Sequence, residues 1–301
     1  MRIVVTGVTG QVGKALTAPL GKHGTVVPAG RSVLNLAEPA TLSGALDRLA
    51  PDLIINPAAY TAVDRAEDER ELAFVVNSKA PGVMATWAAG KGVPLIHFST
   101  DYVFNGTGET PWREDSPTGP LSVYGASKLA GEEAVRNANG AHLIVRTSWV
   151  YAAQGTNFLR TIARLARERT ELKVVADQIG SPTSARVIAD AVTALLGSDL
   201  ASLPGRFERA RGTVNIAASG EATWHSFATR IVGGLSSRKI PLVVRAVLPL
   251  RTDEYPTKAR RPSNSRLDLT RLREVFGLTT PLWTEALEAE LDQLAEEMRL
   301  G

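Results

Sequence analysis

The chain has 301 residues, of which 44% are hydrophobic and 22% are charged, with a net charge of +3 and no cysteine. This composition predicts a globular protein of two domains, or one large domain with an appended lobe, and it excludes disulfides, thiolate catalysis and cysteine-ligated metals. The net charge is small and dispersed, so it does not indicate a nucleic-acid partner. No run reaches the ~18–20 apolar residues of a membrane span, and Arg2 leads straight into a strand. We therefore expect a cytoplasmic protein without a signal peptide or membrane partner.

The first predicted strand, residues 3–5, is followed by a glycine-rich turn and then by a helical pattern. The turn reads T-G-V-T-G-Q-V-G over residues 6–13, with a glycine at every third position. Glycine allows a tight turn and a close phosphate, while free N–H groups at the start of a helix attract a diphosphate. The order strand, turn, helix therefore predicts dinucleotide binding rather than a plain tight turn, with contacts from Gly7, Gly10, Gln11, Val12 and Gly13.

The second predicted strand, residues 25–28, indicates which dinucleotide is bound. An acidic residue after this strand usually binds the free 2′-hydroxyl of NAD, but here the chain reads Ala29-Gly30-Arg31-Ser32. A guanidinium suits a 2′-phosphate, so Arg31 favours NADPH, with NADH as the second choice. The alternative is that Arg31 is a solvated loop residue. We expect Asn35 and Leu36 to border the adenine.

Strands and helices continue to alternate through the first half of the chain. Three more strands are predicted at 52–56, 94–99 and 143–147, and helices at 39–49, 67–77, 81–91 and 121–137. This pattern predicts an α/β fold, a Rossmann-type doubly wound parallel sheet with helices on both faces, whose ligands bind beyond the carboxyl ends of the strands. The small residues after the third strand would let the cofactor ribose approach the backbone, through Ala58, Ala59, Tyr60 and Thr61.

The predicted helix at 121–137 carries Tyr124 and Lys128, the pair at which we expect the chemistry. Residues four apart share one face of a helix, so the ammonium of Lys128 can favour the phenolate of Tyr124 and lower its pKa. Such a tyrosine can donate a proton near neutral pH to an alkoxide that develops when a ketone accepts a hydride. A lone Y-x-x-x-K match is weak, because most such pairs lie on solvated helices, but the glycine turn strengthens it.

The second half of the chain alternates less cleanly. We predict a dinucleotide-binding domain over residues 1–150 and a mainly substrate-binding α/β lobe over 151–301, with some segments returning to the first domain. Residues 104–120 are too long for an ordinary connection and predict an ordered active-site loop. Residues 285–299 read as an amphipathic acidic helix that packs on the lobe or on a second subunit, as in a homodimer.

The remaining charged and titratable residues give weaker signals. No two of the four histidines have metal-ligand spacing, so no metal site is predicted, and His97 within a strand is expected to be packed. The local basic cluster comprises Lys258, Arg260, Arg261 and Arg266. It would suit the diphosphate of a nucleotide sugar, although a solvated face is nearly as good an interpretation.

Seven ordered blocks of the sequence resemble the extended short-chain dehydrogenase/reductases, and within them the dTDP-4-dehydrorhamnose reductase family. The resemblance covers essentially the whole chain. Besides the turn at 6–13, the blocks are N-P-A-A-Y-T-A-V-D at 56–64, S-T-D-Y-V-F-N-G at 99–106, P-L-S-V-Y-G-A-S-K-L-A-G-E at 120–132, R-T-S-W-V-Y at 146–151, D-Q-I-G-S-P-T at 177–183 and R-R-P-S-N-S-R-L at 260–267. The resemblance implies NAD(P)H-dependent reduction of the 4-keto group of dTDP-4-dehydro-β-L-rhamnose, giving dTDP-L-rhamnose for surface polysaccharides such as lipopolysaccharide O-antigen.

The resemblance also implies roles for individual residues. Thr100 would give the substrate carbonyl a second hydrogen bond. Tyr124 and Lys128 would also contact the cofactor, with Lys128 bonding the nicotinamide ribose. The residues implied at the sugar nucleotide are Thr100, Asp101, Trp149, Asn157 and Arg260. Taken alone, Asp101 is equally well read as a loop cap and Trp149 as core. Some family members bridge Mg²⁺ with a carboxylate soon after the glycine turn, but Lys14 and Ala15 stand there, so a metal-bridged dimer is not expected.

Two alternative functions remain open from the sequence. An epimerase or dehydratase of nucleotide sugars would share the glycine turn and the Tyr124–Lys128 pair. A regulatory subunit such as that of methionine adenosyltransferase resembles this family without catalysing its reaction, although an intact Thr100, Tyr124 and Lys128 argues for an enzyme. The exact sugar, the nucleotide base and the number of subunits are not determined by these residues.

Overall fold

The computed structural model describes residues 1–300, and its centre is a sheet built mainly from the first half of the chain. The elements of that half are β1 (Arg2–Thr6), α1 (Gln11–Leu20), β2 (Thr25–Ala29), α2 (Leu42–Leu49), β3 (Leu53–Asn56), α3 (Val63–Ala66), α4 (Arg70–Phe74), α5 (Ala80–Lys91), β4 (Leu95–Thr100), α6 (Val123–Asn137) and β5 (His142–Thr147). The second half contributes β6 (Val150–Tyr151), α7 (Phe158–Glu168), β7 (Glu171–Val175), β8 (Ile179–Gly180), β9 (Thr183–Ser184), α8 (Ala185–Leu196), α9 (Leu203–Arg209), β10 (Thr213–Asn215), β11 (Ala222–Thr223), α10 (Trp224–Ser237), β12 (Ala246–Leu250), α11 (Thr270–Phe276) and α12 (Trp283–Leu300).

Six parallel strands form the central sheet in the order β10-β5-β4-β3-β1-β2. The chain moves from β1 outward to β2 and then returns to place β3 on the other side of β1. This reversal leaves a crevice beyond the carboxyl ends of β1 and β3, which is where open α/β sheets bind their ligands. The predicted doubly wound α/β fold is confirmed.

Helices cover both faces of this sheet and bury its apolar side chains. On one face, α1 and α8 pack together over the sheet, with Leu16, Leu20 and Ile188 fully buried. On the other face, α2 and α5 bury Leu42, Leu46 and Met84. Within residues 1–300 no helix is both long and apolar enough to cross a membrane.

The helix predicted at 67–77 is wrong in its boundaries, whereas the one predicted at 81–91 agrees with α5 to within one residue. The first begins at Arg70, and it runs without a break through a π-helical turn, Val75–Lys79, into α5. Pro81 has no N–H to offer the carbonyl of Asn77 four residues earlier, and a widened turn accommodates such a missing donor without ending the helix. The helix predicted at 121–137 begins at Val123, because the Ser122 side chain caps it by accepting a hydrogen bond from Gly125 N at 3.2 Å.

A second, smaller core lies in the C-terminal half, where α7, α10 and α12 surround buried side chains that include Leu159, Phe227 and Leu291. The predicted acidic helix at 285–299 lies within α12, which packs on α10. Its buried Glu290 accepts a hydrogen bond from Ala153 N at 2.7 Å. Because β10 joins the central sheet and α8 packs on α1, segments of the second half do return to the first. The division at residue 150 itself stays a prediction.

Candidate active site

The glycine turn between β1 and α1 is packed so closely that two of its glycines cannot carry a side chain. Gly7 has a φ of +56°, and a Cβ there would lie 2.9 Å from the Cα of Ala58 beyond β3. A Cβ on Gly13 would lie 2.2 Å from the carbonyl oxygen of Gly7. Gly10 is the N-cap of α1 and brings no capping side chain. The first-turn N–H groups of α1 are therefore free to meet an anion in the crevice.

We expect Gly13→Ala to lower the free energy of unfolding by about 1–3 kcal/mol, because the new methyl group meets backbone atoms that cannot move aside. Gly90→Ala is the matched control, since Gly90 also lies in a helix but has no atom within 4 Å of its Cβ position. That change should stabilise the protein by about 0.5–1 kcal/mol. Denaturant unfolding of both variants measures the difference, and equal effects would show that the turn tolerates a side chain.

The other residues predicted to bind the cofactor follow the glycine turn and β2 along the chain. The Oε1 atom of Gln11 is buried without a hydrogen-bond partner in residues 1–300, and Val12 packs partly against the core. Arg31 is exposed just past β2 and forms no ion pair with the described residues, so its guanidinium is free for a phosphate. Asn35 bonds Glu38 at 2.8 Å, and Leu36 is buried.

Hydrogen bonds between its backbone and neighbouring side chains hold the segment after β3 in place. The N–H of Ala58 donates to Thr6 Oγ1 at 3.2 Å, and beyond it Ala59 is half-buried and Thr61 is exposed. Asn77 holds Tyr60 from both sides, accepting from its N–H at 2.8 Å and donating to its carbonyl at 3.0 Å. Sequence reasoning missed Asn77, which the π-helical turn of the neighbouring helix brings to this position.

Tyr124 and Lys128 share one face of α6 and meet the carboxyl end of β4. Lys128 is 2% exposed, and its Nζ donates a 2.6 Å hydrogen bond to the carbonyl oxygen of Phe98. Tyr124 is half-buried, with its ring edge-on to Tyr102 at 5.5 Å. Burial raises the pKa of the Tyr124 phenol, and a hydrogen bond with Thr100 opposes that rise. The predicted lowering of this pKa by Lys128 is therefore wrong, because burial dominates and the Nζ of Lys128 is bonded to the backbone of β4. The structure thus brings together the three residues predicted to be catalytic.

Two glycines of α6 set how closely this helix approaches its neighbours. A Cβ on Gly125 would lie 2.2 Å from the carbonyl oxygen of Tyr102, in the turn after β4. A Cβ on Gly131 would lie 2.0 Å from the carbonyl oxygen of Asn77. Backbone therefore packs on backbone at both ends of the Tyr124–Lys128 segment. This close approach keeps the two side chains at the carboxyl end of β4.

A buried ion pair one turn beyond Lys128 was not anticipated. Glu132 is fully buried and accepts two hydrogen bonds from Arg146 on β5, at 2.8 and 2.7 Å. Arg146 is 2% exposed, lies 4.9 Å from the Phe104 ring centroid and donates to the carbonyl of Glu114 at 3.0 Å. Burial alone would raise the pKa of Glu132, but Arg146 holds it below its usual value. The pair joins α6, β5 and the predicted active-site loop at residues 104–120.

Residues 1–296 match the family described as RmlD substrate binding domain. The dTDP-4-dehydrorhamnose reductase of Burkholderia thailandensis is 45% identical, over 95% of this chain and 97% of its own. That of Escherichia coli K12 is 39% identical, over 98% of each chain.

The chain belongs to the dTDP-4-dehydrorhamnose reductase family. Its structure is also similar to the crystal structure of the dTDP-4-dehydrorhamnose reductase from Bacillus anthracis in complex with NADP. The TM-score is 0.87 and the identity 35%, over 97% of this chain and 99% of that one.

The residues that the family resemblance assigns to the substrate have different surroundings. Asp101 is 3% exposed and accepts a hydrogen bond from Thr100 at 2.9 Å, while its Oδ2 has no partner in residues 1–300. Burial raises the pKa of Asp101 to about 6. Trp149 lies just past β5 at the same sheet edge. Asn157 caps α7, accepting from Arg160 N at 3.2 Å, so its role towards a substrate stays a prediction.

The predicted basic cluster is mostly paired with carboxylates. Arg261 bonds Asp64 at 2.8 Å, Arg266 bonds Glu221 at 2.7 Å, and Lys258 bonds Asp68. Arg260 is the exposed member that has no ion-pair partner in the described residues. The predicted contact of Arg260 with the diphosphate of a nucleotide sugar stays a prediction.

The remaining ionisable residues of the sheet serve its packing. His97 is fully buried and lies 3.1 Å from Asn56, which accepts from Thr6 at 2.6 Å, so the predicted packing role of His97 is confirmed. Burial and the charge of Lys128 lower the pKa of His97 well below its usual value. Across residues 1–300, no three histidine or carboxylate side chains are grouped as metal ligands.

Proposed function

We propose that the protein reduces the 4-keto group of dTDP-4-dehydro-β-L-rhamnose to give dTDP-L-rhamnose, with NADPH as its preferred reductant and NADH as the second choice. The observation that carries the proposal is the meeting of Tyr124, Lys128 and Thr100 at the carboxyl end of β4, beside the crevice of the glycine turn. The names of the similar proteins and the NADP complex of one of them support it.

The surroundings of the crevice fit NADPH. The turn of Gly7 and Gly13 excludes side chains and so leaves room for a diphosphate at the start of α1. The unpaired Arg31 suits a 2′-phosphate, and the unpartnered Oε1 of Gln11 is an acceptor. When bound, NADPH supplies the hydride. The protein then has to bind the ketone and supply one proton.

Tyr124 is the proton donor in this proposal. As negative charge develops on the C4 oxygen, the phenol transfers its proton to that oxygen. The Thr100 hydroxyl, which donates to Asp101 in the structure, turns its single proton to the same oxygen when the ketone binds. The buried ammonium of Lys128 stabilises the phenolate that remains, because a positive charge close by favours the charged form of the tyrosine. The low exposure of Thr100 and Lys128, 6% and 2%, keeps water from weakening these interactions.

The direct test is the consumption of NADPH by the purified protein with dTDP-4-keto-L-rhamnose generated in the reaction mixture. We expect turnover with formation of dTDP-L-rhamnose, and preference for NADPH over NADH. Arg31→Asp should reverse that preference, since a carboxylate repels the 2′-phosphate and accepts from a free 2′-hydroxyl. No turnover with either cofactor, in protein that binds NADPH, would refute the proposal and favour another sugar or a regulatory subunit.

The pKa of Lys128 predicts a pH dependence. Burial lowers the pKa of Lys128 to about 8, and the charge of Glu132 opposes that shift. Above this pH the lysine loses the charge that favours the phenolate. We therefore expect kcat/KM for NADPH to fall as the pH rises through about 8. Lys128→Arg keeps its charge, so its residual activity should lack this alkaline limb, and an unchanged limb in that variant would assign it to another group.

The proposal includes a cytoplasmic location, where NADPH and nucleotide sugars are available. A homodimer also stays a prediction. The apolar side of α12, with Leu287 and Leu291, is buried in its own lobe, so a subunit contact through this helix would have to use the acidic face.

A further inference from the structure

The proton donor of the proposed reaction lies in the first turn of its helix, where a helix opens most easily. Tyr124 is the second residue of α6, which begins at Val123. The first N–H groups of a helix have no partner within it, so this end frays unless other groups bind them. The position of the Tyr124 phenol therefore depends on what holds the start of α6.

Two side chains hold that start. Ser122 caps the helix by accepting a hydrogen bond from Gly125 N at 3.2 Å. The N–H of Val123 donates to Oε1 of Glu67 at 2.9 Å. A carboxylate at this end also interacts favourably with the positive end of the helix dipole. The cap by Ser122 is local, whereas Glu67 comes 56 residues before Val123 and so fixes the start of α6 relative to another part of the protein.

That other part is the stretch after β3, whose first residues are predicted to contact NADPH. Glu67 directly follows α3 at the end of this stretch. An apolar cluster joins the stretch to α6, because Ala66 and Val123 are buried together and Tyr60 and Tyr124 pack against them. The hydrogen bond from Val123 to Glu67 therefore links the cofactor side of the site to the residue just before the proton donor.

The support of Glu67 is itself held in place. Asp64, in the same short helix α3, accepts hydrogen bonds from Ala259 N at 3.1 Å and from Arg261 at 2.8 Å. Ala66, the last residue of α3, is fully buried. A side chain can position another element only when its own backbone is fixed. The half-buried Glu67 meets this condition and can hold the start of α6.

We propose that Glu67 is a positioning residue for the reduction. Through the N–H of Val123, it holds the first turn of α6 so that the phenol of Tyr124 meets the C4 oxygen of the sugar. The inference rests on the proposed function for the role of Tyr124. Glu67 touches no reacting atom. What it contributes is the geometry of proton transfer, which is sensitive to shifts of about 1 Å.

Amide hydrogen exchange tests the hydrogen bond without turnover. We expect the N–H of Val123 to exchange faster in Glu67→Ala than in the wild type, because it loses its partner and the first turn opens more often. Glu71→Ala is the matched control. Glu71 is an exposed glutamate in the next helix, and its side chain has no hydrogen bond or ion pair within residues 1–300. Unchanged exchange at Val123 in Glu67→Ala would overturn the inference.

Kinetics then measure what the hydrogen bond does for the reaction. Glu67→Ala should lower kcat by about 10- to 100-fold, as for a misplaced catalytic group, with KM for the dTDP sugar and KM for NADPH unchanged. Glu67→Gln keeps an oxygen acceptor, so it should retain most of the wild-type kcat. Glu71→Ala should change none of these constants. Expressing kcat per NADPH site found by titration removes any contribution from unfolded protein.

A double variant separates positioning from a general loss of structure. If Glu67 acts through Tyr124, then Glu67→Ala should lower kcat no further in a Tyr124→Phe background, where there is no phenol proton to position. An equal loss in both backgrounds, or an unchanged kcat in Glu67→Ala alone, would overturn the inference.

Glu67→Asp provides a second route if Glu67→Ala does not fold. It keeps the charge, but its side chain is one methylene shorter and loses the hydrogen bond to Val123 N, so it should lower kcat in the same way. A kcat equal to that of the wild type would contradict the inference. A wild type that protects the N–H of Val123 from exchange but never consumes the dTDP sugar would instead refute the proposed function.

Discussion

Tyr124→Phe should reduce kcat by about 10²- to 10⁴-fold, the range that a positioned general acid contributes. The variant keeps the ring that packs edge-on against Tyr102 at 5.5 Å and loses only the proton that the C4 oxygen would receive. Binding of NADPH should stay close to that of the wild type, because the glycine turn and Arg31 are untouched. Steady-state NADPH consumption and a direct binding titration measure the two effects separately.

Tyr151→Phe is the control for this substitution. Tyr151 is fully buried in the smaller core, and its hydroxyl has no hydrogen-bond partner in the described residues, so removing that hydroxyl should leave kcat unchanged. If Tyr124→Phe retained more than about a tenth of wild-type kcat, another group would have to be the acid, since the usual contribution would be missing.

Glu132→Gln should lower the free energy of unfolding by about 3–5 kcal/mol, the usual cost of leaving one charge of a buried ion pair without its partner. Arg146 would keep its charge at 2% exposure with a neutral amide in place of the carboxylate. Arg136→Gln is the matched control. Arg136 bonds the same carboxylate at 2.7 Å but is 37% exposed, so its loss should cost about 0–1 kcal/mol. Denaturant unfolding of the two variants provides the comparison.

Two further measurements separate this ion pair from simple packing. A double variant, Glu132→Gln with Arg146→Met, removes both charges and should recover much of the lost stability. The pKa of Glu132 lies below its ordinary value of 4.5. The stabilisation of the fold by its charge is therefore complete above pH 4.5 and is lost as the pH falls below that value. The stability gap between wild type and Glu132→Gln should therefore narrow in acid. A gap that stays constant from neutral pH into acid would show that the charge of Glu132 is not its cause.

Local sequence signals predicted the main sheet and the shared helix face of Tyr124 and Lys128, because each arises within one short segment. The apolar, β-branched runs predicted the bounds of β1 to β5 to within one residue at each end. The spacing of Tyr124 and Lys128 required only that α6 form. The glycine turn likewise follows from residues 6–13 alone. These features depend on backbone preference and periodicity, which are encoded locally.

The features that sequence reasoning missed depend on contacts between distant segments. Glu132 and Arg146 lie on different elements, and only their burial in the fold makes them an ion pair. A π-helical turn brings Asn77 to Tyr60, and the hydrophobic periodicity of the sequence does not predict that turn. Glu67 reaches the N–H of Val123 only because the fold brings α3 to the start of α6. A carboxylate four residues after Lys128 was visible in the sequence, but it could equally have been a solvated helix residue.

The short strand β10 has a consequence for how the protein can be made and divided. It covers the outer edge of β5, yet it comes from residues 213–215, long after β5 itself. During synthesis, the edge of β5 therefore presents unpaired N–H and C=O groups until that segment emerges, and an open edge can pair with another chain. A fragment cut near residue 150 would retain the glycine turn and the three side chains predicted to be catalytic, Thr100, Tyr124 and Lys128. We expect it to aggregate, because its sheet would lack its last strand.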